Sequence, residues 1–204
     1  MKRVPAGIGI AAVLWFFMFS PWTRPHMNFW VAMPVAAVVL TAIATRFFTE
    51  PVPDLRIDLK SILSGIFLAA VLWGIFWTGD KLSQSLFRFA RPQVDLIYGL
   101  KASTDSVLIA LLLLLVIGPA EEIFWRGFVQ KRCMEAFGPD RGFLLATAAY
   151  TSIHIWSFNF MLVMAALVCG LFWGLLYRLR PKQLFPLILS HALWDVAAFV
   201  VFPI

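Results

Sequence analysis

The sequence predicts an all-α protein, a polytopic bundle of about seven membrane-spanning helices with one interfacial helix. Three observations predict it. The 204 residues are 61% hydrophobic and 14% charged with a mean hydropathy of +0.85, whereas soluble domains carry about a quarter charged residues. The apolar residues gather into runs of about 20, the length that crosses a bilayer. Lys and Arg sit in the short loops between those runs, where they orient a chain in the membrane. The formal net charge of +6 therefore concerns topology, and binding of nucleic acid is not expected.

The first run, 4–22, follows Lys2 and Arg3. It is read as a span and not a signal peptide, because no small-x-small cleavage site precedes "SPWTRPH". A second span is expected over 27–45, then a loop, "RFFTEPVPDLRIDLK", broken by Pro51 and Pro53, and a third span over 61–79. The segment 80–105 differs. Leu82, Leu86, Phe89 and Ala90 fall on one helical face and Lys81, Gln84, Ser85, Arg88 and Arg91 mostly opposite, the pattern of an interfacial helix that stops near Pro92. Four further spans follow over 106–130, 142–158, 159–177 and 183–203. With the N-terminus cytoplasmic, eleven Lys and Arg lie inside and five outside, so that orientation is expected. Cys133 and Cys169 show neither disulfide nor metal spacing and read as packing residues.

Against this apolar background the last four spans carry six ionisable residues: Glu121, Glu122, Arg126, His154, His191 and Asp195. A charge at a helix centre costs about 2.5–3.5 kcal/mol on insertion scales, so such groups face one another or a watery cavity. Glu122 and Arg126 are spaced i,i+4 and share a face, where they can pair. Glu121 points about 100° away, toward a different neighbour. His191 and Asp195 in "HALWD" again share a face. At ~1.5 Å per residue, Glu121, His154 and His191 all lie roughly 13–18 Å from the cytoplasmic ends of their spans, one layer deep in the membrane. Gly118-Pro119 adds a proline kink just before the glutamates, and irregular backbone at depth is tolerated where it lines a cavity.

Three motifs carry a resemblance. Glu121-Glu122-Ile-Phe-Trp-Arg126 reads as EExxxR, Tyr150-Thr-Ser-Ile-His154 as FxxxH with tyrosine for phenylalanine, and His191-Ala-Leu-Trp-Asp195 as HxxxN/D. In this order on consecutive spans they resemble the CPBP family of CAAX-processing and bacteriocin-processing intramembrane endopeptidases. The resemblance covers about 106–200. It divides the chain into a variable N-terminal transmembrane half with the interfacial segment, 1–105, and a catalytic core, 106–204.

The resemblance implies hydrolysis of a peptide bond near a membrane, on a membrane-associated peptide or protein substrate, by a multi-pass protein of a bacterial or archaeal cytoplasmic membrane. It implies that Glu121 activates water, that His154 helps hold that water, and that His191 with Asp195 stabilises the oxyanion. Glu122 and Arg126 would fix the first helix. Tyr150 adds a hydroxyl where the family usually has Phe. Asp195 stands where many members carry Asn, and is expected to orient His191 by accepting its N–H. No cofactor is expected; the alternative is one divalent cation such as zinc on Glu121, His154, His191 and Asp195. The competing class is a non-enzymatic transporter, immunity factor or scaffold, although no internal repeat of the transporter kind is present.

Overall fold

In the computed structural model, residues 3–47, 55–101 and 104–204 are described. Lys2 and the loop prolines Pro51 and Pro53 lie outside them. Among the described residues the chain is helical and has no strand. The long helices are α1 (Arg3–Phe19), α2 (Phe29–Phe47), α3 (Leu59–Leu86), α4 (Ala90–Tyr98) and α5 (Ser106–Phe137). They are followed by α6 (Pro139–Ser152), α7 (Phe160–Leu179) and α8 (Leu184–Val201). Polar caps set several starts. Asp58 and Ser61 exchange hydrogen bonds in a capping box before α3, at 2.7 and 3.0 Å. Asp105 accepts the Val107 and Leu108 N–H groups before α5, and Asn159 that of Leu162 before α7.

The surface is built for lipid. Val31, Val35 and Val38 on α2, Leu59, Leu63 and Phe67 on α3, and Leu171, Leu175 and Leu179 on α7 all stand exposed at helical spacing. In water such stripes would form apolar patches far larger than a monomer tolerates; in hydrocarbon they meet no penalty. The ionisable residues of the motifs run the other way, with Glu121, Glu122, Arg126, His154 and His191 buried inside.

Among the described residues, five helices are long and apolar enough to cross a membrane: Phe29–Arg46, Leu59–Leu86, Ser106–Phe137, Phe160–Leu179 and Leu184–Val201. The expected seven spans are thus not all matched. Helix α1 is apolar but has 17 residues, about 26 Å of rise. The expected span 142–158 is a 14-residue α-helix running into a 3-10 turn, Ile153–Ser157. Thr147, Tyr150, Thr151, Ser152 and His154 keep its apolarity low.

The interfacial helix expected over 80–105 is also divided. Residues 80–86 prolong α3, Phe87 ends it, and α4 begins afresh at Ala90. Pro92 sits in the first turn of α4 and does not end a helix, since a missing N–H there removes no intrahelical bond. The shared apolar face breaks up with it: Ala90 is fully buried, while Leu82, Leu86 and Phe89 point outward. Helix α4 is tied to the bundle by polar groups. Gln93 accepts from Asn159 and from the Met161 N–H, at 2.7 and 3.0 Å. Tyr98 and Lys101 donate to the Ala198 and Phe199 carbonyls, each at 2.8 Å.

Two features bring the helices close. Gly170 and Gly174 form a small-xxx-small step on α7 that lets α5 and α6 approach, and polar side chains reach the backbone uncovered there. Gln130 donates to the Gly174 carbonyl at 2.7 Å, Arg126 to Cys169 at 3.2 Å, and Thr147 to Gly170 at 3.3 Å. Gly118 does the same for α5 and α8: a Cβ there would lie 2.9 Å from the Ala192 Cα. Gly118→Ala is therefore expected to push α8 away and lower stability by about 1–3 kcal/mol, as overpacking does. An unaltered melting temperature in detergent would contradict that contact.

Candidate active site

Helix α5 carries the glutamates on an unusual backbone. The expected proline kink is taken up by π-helical turns at Leu113–Ile117 and Ile123–Gln130, on either side of the segment Gly118–Glu122. Wide turns of this kind re-aim side chains and recur at functional sites. Here they present Glu121, Glu122 and Arg126 to neighbours on α6, α7 and α8.

Glu122 is the hub. It is 0% exposed, and its Oε1 accepts from Arg126 Nη1 at 2.9 Å and from His191 Nδ1 at 2.7 Å. The helical spacing predicts the first bond; the second joins residues 69 apart. Arg126 is also held by two aromatic faces, Tyr150 at 5.0 Å and Trp173 at 5.5 Å. Trp173 stacks on His191 with ring centroids 3.9 Å apart and donates its N–H to Ser190. His191 is thus fixed by a carboxylate at one nitrogen and an indole across its face. Asp195 stands 3.6 Å from His191 Nε2, at ion-pair range but beyond a hydrogen bond. The hydrogen-bond partner expected in Asp195 is Glu122, because the close approach at Gly118 brings α5 onto α8.

Glu121 stands apart from these ion pairs. It is buried and accepts the Tyr150 hydroxyl at 3.2 Å. The hydroxyl that tyrosine adds in the second motif thus reaches the first. His154 follows one turn later, its Nδ1 2.8 Å from the Tyr150 carbonyl. Its Nε2 receives the indole N–H of Trp15 at 3.1 Å. All seven residues singled out in the sequence therefore meet in two linked sets: Glu121–Tyr150–His154, and Arg126–Glu122–His191 beside Asp195.

Trp15, Trp173 and Ser190 were not foreseen. Trp15 and His154 are 139 residues apart, and no local spacing rule joins them. The "GLFWG" step around Trp173 is the one signal that was legible, since a small-xxx-small pair marks a close helix contact.

Glu121, His154, His191 and Asp195 are the four residues considered for a divalent cation. Among the described residues, no group of three or more His, Cys, Asp or Glu is placed to hold a metal ion. Both His154 nitrogens have protein partners, and His191 gives Nδ1 to Glu122.

Residues 103–197 match the family model described as Type II CAAX prenyl endopeptidase Rce1-like, consistent with a CPBP family intramembrane endopeptidase. The matched stretch holds all three motifs and all seven residues above. No curated protein and no solved structure matches the chain.

Proposed function

From the likeness of this half of the chain to CAAX-type endopeptidases, we propose that the protein hydrolyses peptide bonds of membrane-associated substrates by a metal-free, glutamate-activated water mechanism. The observation that carries it is the buried meeting of Glu121 and Tyr150 with Glu122, Arg126 and His191, from three helices, in an otherwise apolar bundle. Charges taken out of lipid and matched to one another in this way mark function more often than packing.

The contacts support these roles. Glu121, free of the arginine, accepts a proton from water as it attacks the scissile carbonyl, then passes that proton to the leaving amine. His154 holds the water through Nε2 once the Trp15 N–H has moved off that nitrogen. His191, with Nδ1–H on Glu122 and both nitrogens protonated, directs Nε2–H at the developing oxyanion. Glu122 and Arg126 keep that donor aimed. The substrate end is a membrane-anchored peptide or protein tail, prenylated or not.

The test uses purified protein in liposomes with membrane-anchored model peptides, with and without a farnesylated cysteine near the C-terminus. Cleavage read by mass spectrometry, and lost in His191→Ala, is the expected result. Intact peptides of both kinds, together with unchanged membrane-protein termini in cells lacking the protein, would overturn the reading.

Asp195 separates the two chemistries. On the metal-free reading Asp195→Asn keeps activity within about tenfold and is indifferent to chelators, because the Glu122 bond still orients His191 and the amide offers a donor. A metal ligand would instead lose both bound zinc and rate, about 10–100-fold. Metal analysis alongside turnover decides between them.

A further inference from the structure

His154 is enclosed by aromatic rings, with centroids at 5.1 Å for Tyr150, 5.9 Å for Trp15 and 6.0 Å for Phe19. Its hydrogen bonds define its proton. An indole N–H only donates, so the Nε2 it meets carries the lone pair. The ring proton then sits on Nδ1 and is donated to the Tyr150 carbonyl, one turn back on the same helical segment. Both nitrogens are used. The Nδ1 bond is local, to a carbonyl of the same helical segment, whereas the Nε2 bond depends on a separate helix and opens when Trp15 moves.

Trp15 belongs to α1, which lies outside the stretch of family likeness. Helix α1 packs against the Ile153–Ser157 turn through a row of rings, with Phe16 on Trp156 at 5.3 Å and Trp15 on His154. Edge contacts of this kind are soft compared with the ion pairs of α5 and α8, and α1 is the short member of the apolar helices. A shift of α1 thus uncovers one nitrogen of one histidine, while the ion pairs of Glu122 are made with Arg126 and His191, on α5 and α8.

We infer that Trp15 is a positioning residue for His154 and a latch on it: its N–H holds the ring in the Nδ1–H form and covers Nε2 until α1 shifts aside. Only the link to turnover rests on the peptidase reading above.

The experiment has two arms that need no substrate and one that does. Nitrogen-15 spectra of the histidine rings in detergent are expected to show His154 protonated at Nδ1 and hydrogen-bonded at Nε2. Diethyl pyrocarbonate, which acylates an uncovered imidazole nitrogen, is expected to modify His154 roughly tenfold faster in Trp15→Phe, the factor one hydrogen bond holds closed. His26, exposed and remote from this contact, serves as the unchanged control. Should Trp15→Phe not fold, benzothienylalanine at position 15 keeps the shape of the indole and removes the N–H. A wild-type ring protonated at Nε2, or equal modification rates, overturns the inference.

In the third arm Phe16→Cys and Trp156→Cys are joined by a short cleavable thiol cross-linker. Turnover is expected to fall roughly tenfold when joined and to return on cleavage of the linker, the factor of the same single bond. Undiminished turnover in the joined state overturns the latch. If the wild-type protein cleaves nothing, the peptidase reading fails, and the two substrate-free arms still decide the role of Trp15.

Discussion

Glu121→Gln is expected to abolish proteolysis, by at least about 10²-fold, while the protein still inserts and folds. The loss follows because an amide accepts no proton from an attacking water at neutral pH. The fold survives because Gln nearly matches Glu in shape and its amide oxygen still accepts the Tyr150 hydroxyl. Glu121 also contributes to neither ion pair of Glu122, so no buried charge is orphaned by the change. Turnover of a membrane-anchored peptide and the melting temperature of the same preparation make the measurement. Activity near wild type in purified protein would remove Glu121 from the role of base.

Glu122→Ala is expected to behave in the opposite way, lowering folding yield together with activity. Its side chain is fully buried and compensates Arg126 and His191 through one oxygen. Truncation leaves the guanidinium facing Tyr150, Trp173 and the Cys169 carbonyl with no counter-charge. Breaking a buried pair from one side typically costs about 3–5 kcal/mol. Arg126→Ala carries a similar penalty for the same reason. A double-mutant cycle on thermal stability is expected to show coupling of about 0.5–3 kcal/mol between the two positions. Additive effects would mean that the two charges are held independently. On the proposed mechanism the adjacent glutamates are expected to separate in this way, Glu121 supporting the chemistry and Glu122 the fold.

What was legible in the sequence was what helical geometry decides locally. The 3.6-residue period places Glu122 beside Arg126 whatever the rest of the chain does, and that bond is present at 2.9 Å. The same period sets His191 and Asp195 on one face, yet leaves them 3.6 Å apart, because sharing a face fixes proximity and not a hydrogen bond. Composition likewise settled the environment: a chain with 14% charged residues and long apolar runs has its exposed surface in lipid. Where the polar content was mixed, composition was a poorer guide. The run 142–158 read as a span although it ends in a 3-10 turn, and 80–105 read as one helix although Phe87 divides it.

Every contact between helices was decided by the tertiary structure alone. Glu122 with His191, Tyr150 with Glu121, and Trp15 with His154 depend on how far each helix is rotated and slid against the next. In lipid no hydrophobic force sets that register, because the hydrocarbon is as apolar as the side chains. It is set by where backbones can approach, at Gly118 and at Gly170 and Gly174, and by which polar groups then find a partner. A sequence names those small and polar residues, but the partner of each exists only once the helices have packed.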